Sequence, residues 1–247
     1  GPGNRVLFLG LRVDRPPFSD PRVREAFDLA IDGEKLIAEA LRGQGLPASQ
    51  VVPQSVAGFE PALPVTRPDR ARARALLAQA GHPGGLAVQL DGPNNRYTND
   101  RQILAEVARQ LALVGVRVEV VAQDKLRFFE QRREGRLSFH LFGWACQSGE
   151  AGEALDSLFH TRGEGLGSEN VMGLADPELD RLIDAANASE TLAERLEHVR
   201  AAMIRLAELR PILPLVVQPE AVAMSRRVSW RPPMNYAFRL ESLSPAE

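Results

Sequence analysis

The sequence predicts an α/β domain with a mixed or parallel sheet flanked by helices, on three observations. Strand-like and helix-like patterns follow one another in repeated succession along the chain. The stretch "LSFHLFGW" at 137–144 is apolar on both faces at its end, as a central strand covered by helices is. A hydrophobic content of 44% with 25% charge over 247 residues suffices for a sizeable core, in one large or two small domains.

The first element is "RVLFLGLRV" at 5–13, an apolar run bounded by Pro16 and Pro17 and so a strand. Asp20-Pro21 opens a helix, a capping residue followed by proline at the first helical position, and Val23, Ala26, Phe27, Ala30 and Ile31 recur at helical spacing. Asp32 caps the next turn, "GEKLIAEAL". Residues 43–68 are rich in Pro and Gly without a sustained period; only "SQVVP" at 49–53 fits a short strand, and a loop this long is unusual in a compact domain. Asp69 starts "RARARALLAQAG", a helix that Gly81 closes.

A strand at 85–92, a helix over 100–114 ending at Gly115, the alternating strand "VRVEVV" at 116–121, a short helix "KLRFFEQRREG" and the strand at 137–144 follow. Beyond them the pattern gives a short helix near 153–160, a glycine-rich loop "RGEGLGSEN" and helices at 176–188 and 190–209. Pro211 and Pro214 then break it, and "ILPLVV" leads into a largely irregular tail.

Composition excludes several functions. Thirty basic residues against 32 acidic give a net charge of −2, and the basic ones form no stripe with interleaved aromatics, so nucleic acid is not the expected partner. No apolar run approaches the roughly 18 residues of a membrane span, and residues 1–15 lack the order of a secretory signal; a soluble chain is expected. The single cysteine, Cys146, cannot form an internal disulfide. There is no HExxH, P-loop or GxSxG, and the histidines at 82, 140, 160 and 198 share no ligand spacing. No metal, no cofactor and no enzymatic activity are therefore expected. "GEGLGS" at 163–168 resembles a phosphate-cradling loop only in its glycines, for the Lys-Ser/Thr that should follow is missing.

In sheets of this class ligands gather outside the carboxyl ends of the strands. Two odd polar segments fall there: "GPNNRYTND" after the strand ending near Leu90, and "ACQSGEAGE" after the strand ending near Trp144. If those strands are neighbours, Asn94, Asn95, Arg96 and Tyr97 share one mouth with Trp144, Gln147 and Glu150.

The residues also carry a resemblance. "RPPFSDPRVREAFDLAIDGEKLI" at 15–37 is similar to the signature of the bacterial extracellular solute-binding proteins of family 5, the dipeptide, oligopeptide and nickel type that capture ligands for ABC importers. The similarity continues in order through "DRARARALLAQAG", "NNRYTNDRQILAEVARQLALVGVRVEVV", "SFHLFGWACQSGEAGEALDSLF", "LADPELDRLIDAANAS" and "ILPLVVQPEAVAM", covering nearly the whole chain. It implies a type II periplasmic-binding-protein-like lobe, the second of two. Residues 14–210 would form the lobe, with 1–13 a crossover segment from the first lobe and 211–247 a return segment toward it. The lack of a secretory signal is then what a chain beginning partway would show, with Gly1-Pro2 as a residual scar. The resemblance further implies a monomer, periplasmic or otherwise extracytoplasmic, without cofactor. It would bind a peptide-like or other small polar solute between its lobes and dock on a membrane permease.

It also assigns candidate ligand-binding residues: Asn95, Arg96, Tyr97, Trp144, Cys146, Gln147, Glu150 and Asn170. Each has a plainer reading. Trp144 is a ligand platform or a core residue, Arg96 and Tyr97 a carboxylate-binding pair or a solvated loop. Cys146, with no histidine near in sequence, reads as a small buried hydrophobe rather than a nucleophile. Asn170 sits where relatives place a polar residue near the ligand, or is an ordinary loop asparagine. Peptide-binding relatives carry an Asp three residues beyond the Trp, whereas this chain has Gln147, whose neutral amide cannot make the same charge-assisted bond to an ammonium. Glu150 is the acid that would replace it; a saccharide- or opine-type solute is the alternative, and a cleft enzyme acting through Glu150, Cys146 or Asp124 the more distant one.

Overall fold

In the computed structural model, which describes residues 2–220, 223–230 and 243–245, aspartates start most of the helices. Asp20, Asp32 and Asp69 accept hydrogen bonds from the amides of Arg22, Lys35 and Arg72 at 2.8, 2.9 and 2.9 Å, satisfying donors that have no partner inside the helix. They open α1 (Pro21–Ala30), α2 (Gly33–Leu41) and α3 (Arg70–Gln79). Gly81 follows α3 at φ +93°, in the left-handed region expected of a residue closing a helix. Asp124 and Asp176 likewise cap α5 (Lys125–Arg133) and α7 (Pro177–Ala188), and Thr191 with Glu194 forms a reciprocal capping box at α8 (Leu192–Leu209). α4 spans Asp100–Ala112. The short helix expected near 153–160 is a single turn, α6 (Gly152–Ala154), running into a π-helical turn at Leu155–Phe159.

The strands are β1 (Pro2–Leu11), β2 (Leu46–Pro47), β3 (Leu86–Pro93), β4 (Val116–Gln123), β5 (Phe139–Ala145) and β6 (Ile212–Pro219). They form one sheet in the order β2-β6-β1-β5-β3-β4. β3 is parallel to β4 and β5, while β1 is antiparallel to β5 and β6, so the sheet is mixed. A separate ribbon pairs β7 (Val228–Ser229) with β8 (Ser244–Pro245). β5 lies inside the sheet, which its apolar faces require. Leu7, Leu9 and Leu11 of β1 and Phe139 and Leu141 of β5 pack under α1 to α4. Phe8 and Phe142 point the other way, into a second layer built from the π-helical turn, α7 and α8.

One expectation is corrected. "SQVVP" at 49–53 is not a strand; β2 is Leu46–Pro47, and Val51, Val52 and Val56 are buried as core beneath the second layer. Their side chains are consumed by packing, and the long excursion is held shut by Gln50, whose amide donates to the Glu60 carbonyl at 2.8 Å and accepts from its N–H at 3.0 Å. Residues 2–11 and 212–219, on either side of the 14–210 span, pair as inner strands of this sheet. The remainder of the 211–247 segment lies mostly outside the described residues.

Candidate functional site

β3 and β5 run side by side in parallel, with Asp91 opposite His140, so the loops at their carboxyl ends open on the same side of the sheet. Tyr97 is the joint between them. It is 7% exposed, and a Cβ built on Gly143 would lie 3.0 Å from its ring, a closeness that only glycine permits. The loop carrying Tyr97 is closed by Asp100, whose carboxylate accepts from the amides of Arg96 and Tyr97 at 3.0 and 3.2 Å. Burial pushes the Tyr97 phenol above its ordinary value, and the charges of Arg96 and Arg5 pull against it. Arg96 is exposed, its guanidinium 5.4 Å from the Tyr97 ring centre.

Asn95 leans away toward the next loop. It donates to Asp124 at 2.7 Å and accepts from the Lys125 amide at 2.9 Å, which ties the β3 loop to the start of α5. On the other loop Trp144 is half-buried, and its indole N–H is buried without a hydrogen-bond partner among the described residues. Gln147 is exposed. Cys146 is 1% exposed with its Sγ 2.8 Å from the Glu150 carbonyl, and burial pushes its thiol up, away from the thiolate a nucleophile needs.

Glu150 is engaged elsewhere: its carboxylate accepts from Arg195 Nε of α8 at 2.7 Å and from the Gly152 amide at 3.3 Å. The backbone around it is fixed by the long loop, since the Ala57 amide donates to Gly149 at 2.9 Å and Ala151 donates to the Ala57 carbonyl at 2.8 Å. Asn170 is not brought to this mouth. Its loop returns past the far end of β1, where the Val13 amide donates to Met172, and its amide group bonds the backbone of His160 and Leu174.

Two residues at the mouth were not among those expected. Asn4 is buried and donates to the Cys146 carbonyl at 2.7 Å; Arg5 stands opposite Ala145, close enough to Tyr97 to act on its phenol. No sequence signal marks either, because what gives them a place is pairing of β1 with β5 across some 140 residues.

Helices on both faces of a mixed sheet, with loops converging at the carboxyl ends of parallel strands, make this a type II periplasmic-binding-protein lobe. Residues 1–165 match the bacterial extracellular solute-binding proteins, family 5 middle region, and the chain belongs to that family. It is 30% identical over 228 residues to the glutathione-binding protein GsiB of Escherichia coli K12, covering 90% of this chain and 44% of that one. The chain thus spans about half the length of the curated relatives it matches. It superposes on a dipeptide-binding protein of Pseudoalteromonas solved with Met-Leu, with TM-score 0.81, 25% identity and coverage of 88% of this chain and 43% of the other. HbpA2 of Haemophilus parasuis shares the fold, with TM-score 0.88 and 23% identity over 100% of this chain and 49% of that one. These relatives are binding proteins, and among the described residues no helix is long and apolar enough to cross a membrane.

Proposed function

We propose that the chain is the second lobe of an extracytoplasmic solute-binding protein, which captures a small peptide-like solute bearing a carboxylate and hands it to an ABC permease. The observation that carries this is Arg96, exposed at the mouth beside Tyr97, where the Glu150 carboxylate is already paired with Arg195. An arginine fork suits a carboxylate. Trp144 supplies an apolar platform, and Gln147 a neutral polar contact. Arg96, Trp144 and Gln147 are thus the ligand-facing residues, Tyr97, Asn95, Cys146 and Glu150 hold the walls, and Asn170 lies away from the mouth.

Glutathione, named for the Escherichia coli relative, is a peptide with two carboxylates, either of which an arginine fork could take. The pairing of Pro2 with Pro219 sets the outer ends of β1 and β6 together, so the chain enters and leaves the lobe at one place, as crossing to a partner lobe demands. Binding without turnover, as a monomer, completes the reading.

Thermal shift of the full-length protein with di- and tripeptides, glutathione and neutral saccharides tests it. Peptides with free carboxylates should stabilise it, and Arg96→Ala should weaken that effect by about tenfold or more in affinity, the scale of a hydrogen bond between charged groups. Stabilisation by saccharides alone would replace the peptide-like solute with a sugar.

A further inference from the structure

Beyond the opposite end of β1, the residues after that strand, the turn between α5 and β5 and the loop at 161–175 border an open cavity of about 380 Å³. Arg5 stands opposite Ala145 and Leu11 opposite Phe139. Six steps along a strand at about 3.3 Å each separate this cavity from the candidate mouth by roughly 20 Å. The space would hold about a dozen water molecules.

Four arginines line it: Arg12, Arg15, Arg133 and Arg162. The one acid on the lining, Glu134, is paired with Arg136 at 3.0 Å. Asp14, beneath Gly173, accepts from Arg12 Nε and Nη2 at 2.7 and 3.0 Å and lies 3.8 Å from Arg15. Five guanidinium groups, with Arg136 counted, therefore stand against two carboxylates, Asp14 and Glu134, in a chain whose net charge is −2. General basicity does not account for that excess.

The walls are built. Arg12 is fixed by a third bond, from Nη1 to the Gly135 carbonyl at 2.6 Å. Asn170, 6% exposed, clamps the carbonyls of His160 and Leu174, and Arg162 is braced on the Ser168 carbonyl at 3.2 Å. Arg15, Arg133 and Arg162 are exposed around it, where an incoming anion can reach them. Like charges held together in a concave site repel one another until an anion joins them, and a planar fork matches phosphoryl oxygens.

We propose that this cavity is a second binding site, independent of the solute mouth, for a phosphoryl group. The glycine-rich loop at 162–170 serves it by presenting Arg162, not by cradling phosphate with its backbone as a P-loop does. The group would come from free phosphate or pyrophosphate, or from the headgroup of an anionic phospholipid.

The test uses the full-length protein in two arms: calorimetric titration with inorganic phosphate and pyrophosphate at low salt, and co-sedimentation with phosphatidylglycerol or phosphatidylcholine vesicles. Binding in the first arm identifies a free phosphate. Binding to phosphatidylglycerol vesicles alone identifies a lipid headgroup. In either case the Arg133→Ala/Arg162→Ala variant should lose affinity by about tenfold or more, and the double lysine variant should fall between, keeping charge but losing the fork. Neither arginine touches the core, so melting curves should stay unchanged. Binding in neither arm would overturn the proposal, as would equal binding by the folded alanine variant.

Discussion

The Glu150–Arg195 pair is only partly shielded, with side chains 21% and 25% exposed, so it lies between a surface bridge and a buried one. It joins the loop after β5 to α8. Glu150→Gln should lower stability by about 1 kcal/mol in chemical denaturation, within the range of partly exposed charged pairs, and leave solute affinity nearly unchanged. His140 presents a different case: it is 1% exposed, and neither ring nitrogen has a partner among the described residues. Burial, with Arg132 and Arg12 nearby, holds its imidazole well below the ordinary 6.5. As pH falls through 6.5 the unfolded chain takes up a proton that the native state refuses. Stability from this group is therefore intact above 6.5 and declines below it, by up to roughly 1.4 kcal/mol per pH unit. Asp91 and Asp28, whose carboxyls burial pushes up, oppose this slope only nearer the carboxylate range. Denaturation at about pH 7 and about pH 5.5 should show the loss, and His140→Phe should flatten it.

Among elements, the junction of β1, β5 and the β3 loop is the most tightly constrained. A Cβ on Gly143 would lie 2.5 Å from Leu7 and 3.0 Å from Tyr97. Gly143→Ala should cost about 1–3 kcal/mol of stability through overpacking, and weaken solute binding as well, because Tyr97 must move. A melting temperature unchanged by this substitution would mean the joint is looser than described. The helices here were legible because their starts are written locally, as Asp20-Pro21 and Asp69 show. The apolar pattern of 137–144 marks β5 as an inner strand but does not name β3 as its neighbour, which the sheet order supplies. The partner of Glu150 could not be read either, since Arg195 is 45 residues away on an ordinary-looking helix. "SQVVP" misled because buried valines in an irregular loop carry the same local pattern as a strand.

For the whole molecule, the two proposed sites lie at opposite ends of the sheet. The carboxyl ends of β3 and β5 present Arg96, Tyr97 and Trp144, while the far end of β1 carries the arginine-lined cavity. A lobe that grips one side of a solute leaves its other polar groups to water, so this chain by itself should bind its solute far more weakly than the full-length protein. Calorimetry on the two would reveal the difference. The most direct test of the mouth begins with native mass spectrometry of freshly purified full-length protein, to identify the solute it carries. Calorimetric titration with that solute then compares the unaltered protein with Arg96→Ala and Trp144→Phe, the latter keeping a ring but shrinking the apolar platform. The account predicts a loss of about 1.5–3 kcal/mol for the first and about 0.5–1.5 kcal/mol for the second, with melting temperatures preserved. Unchanged affinity in both folded variants would contradict it, leaving Trp144 as a core residue followed by a turn.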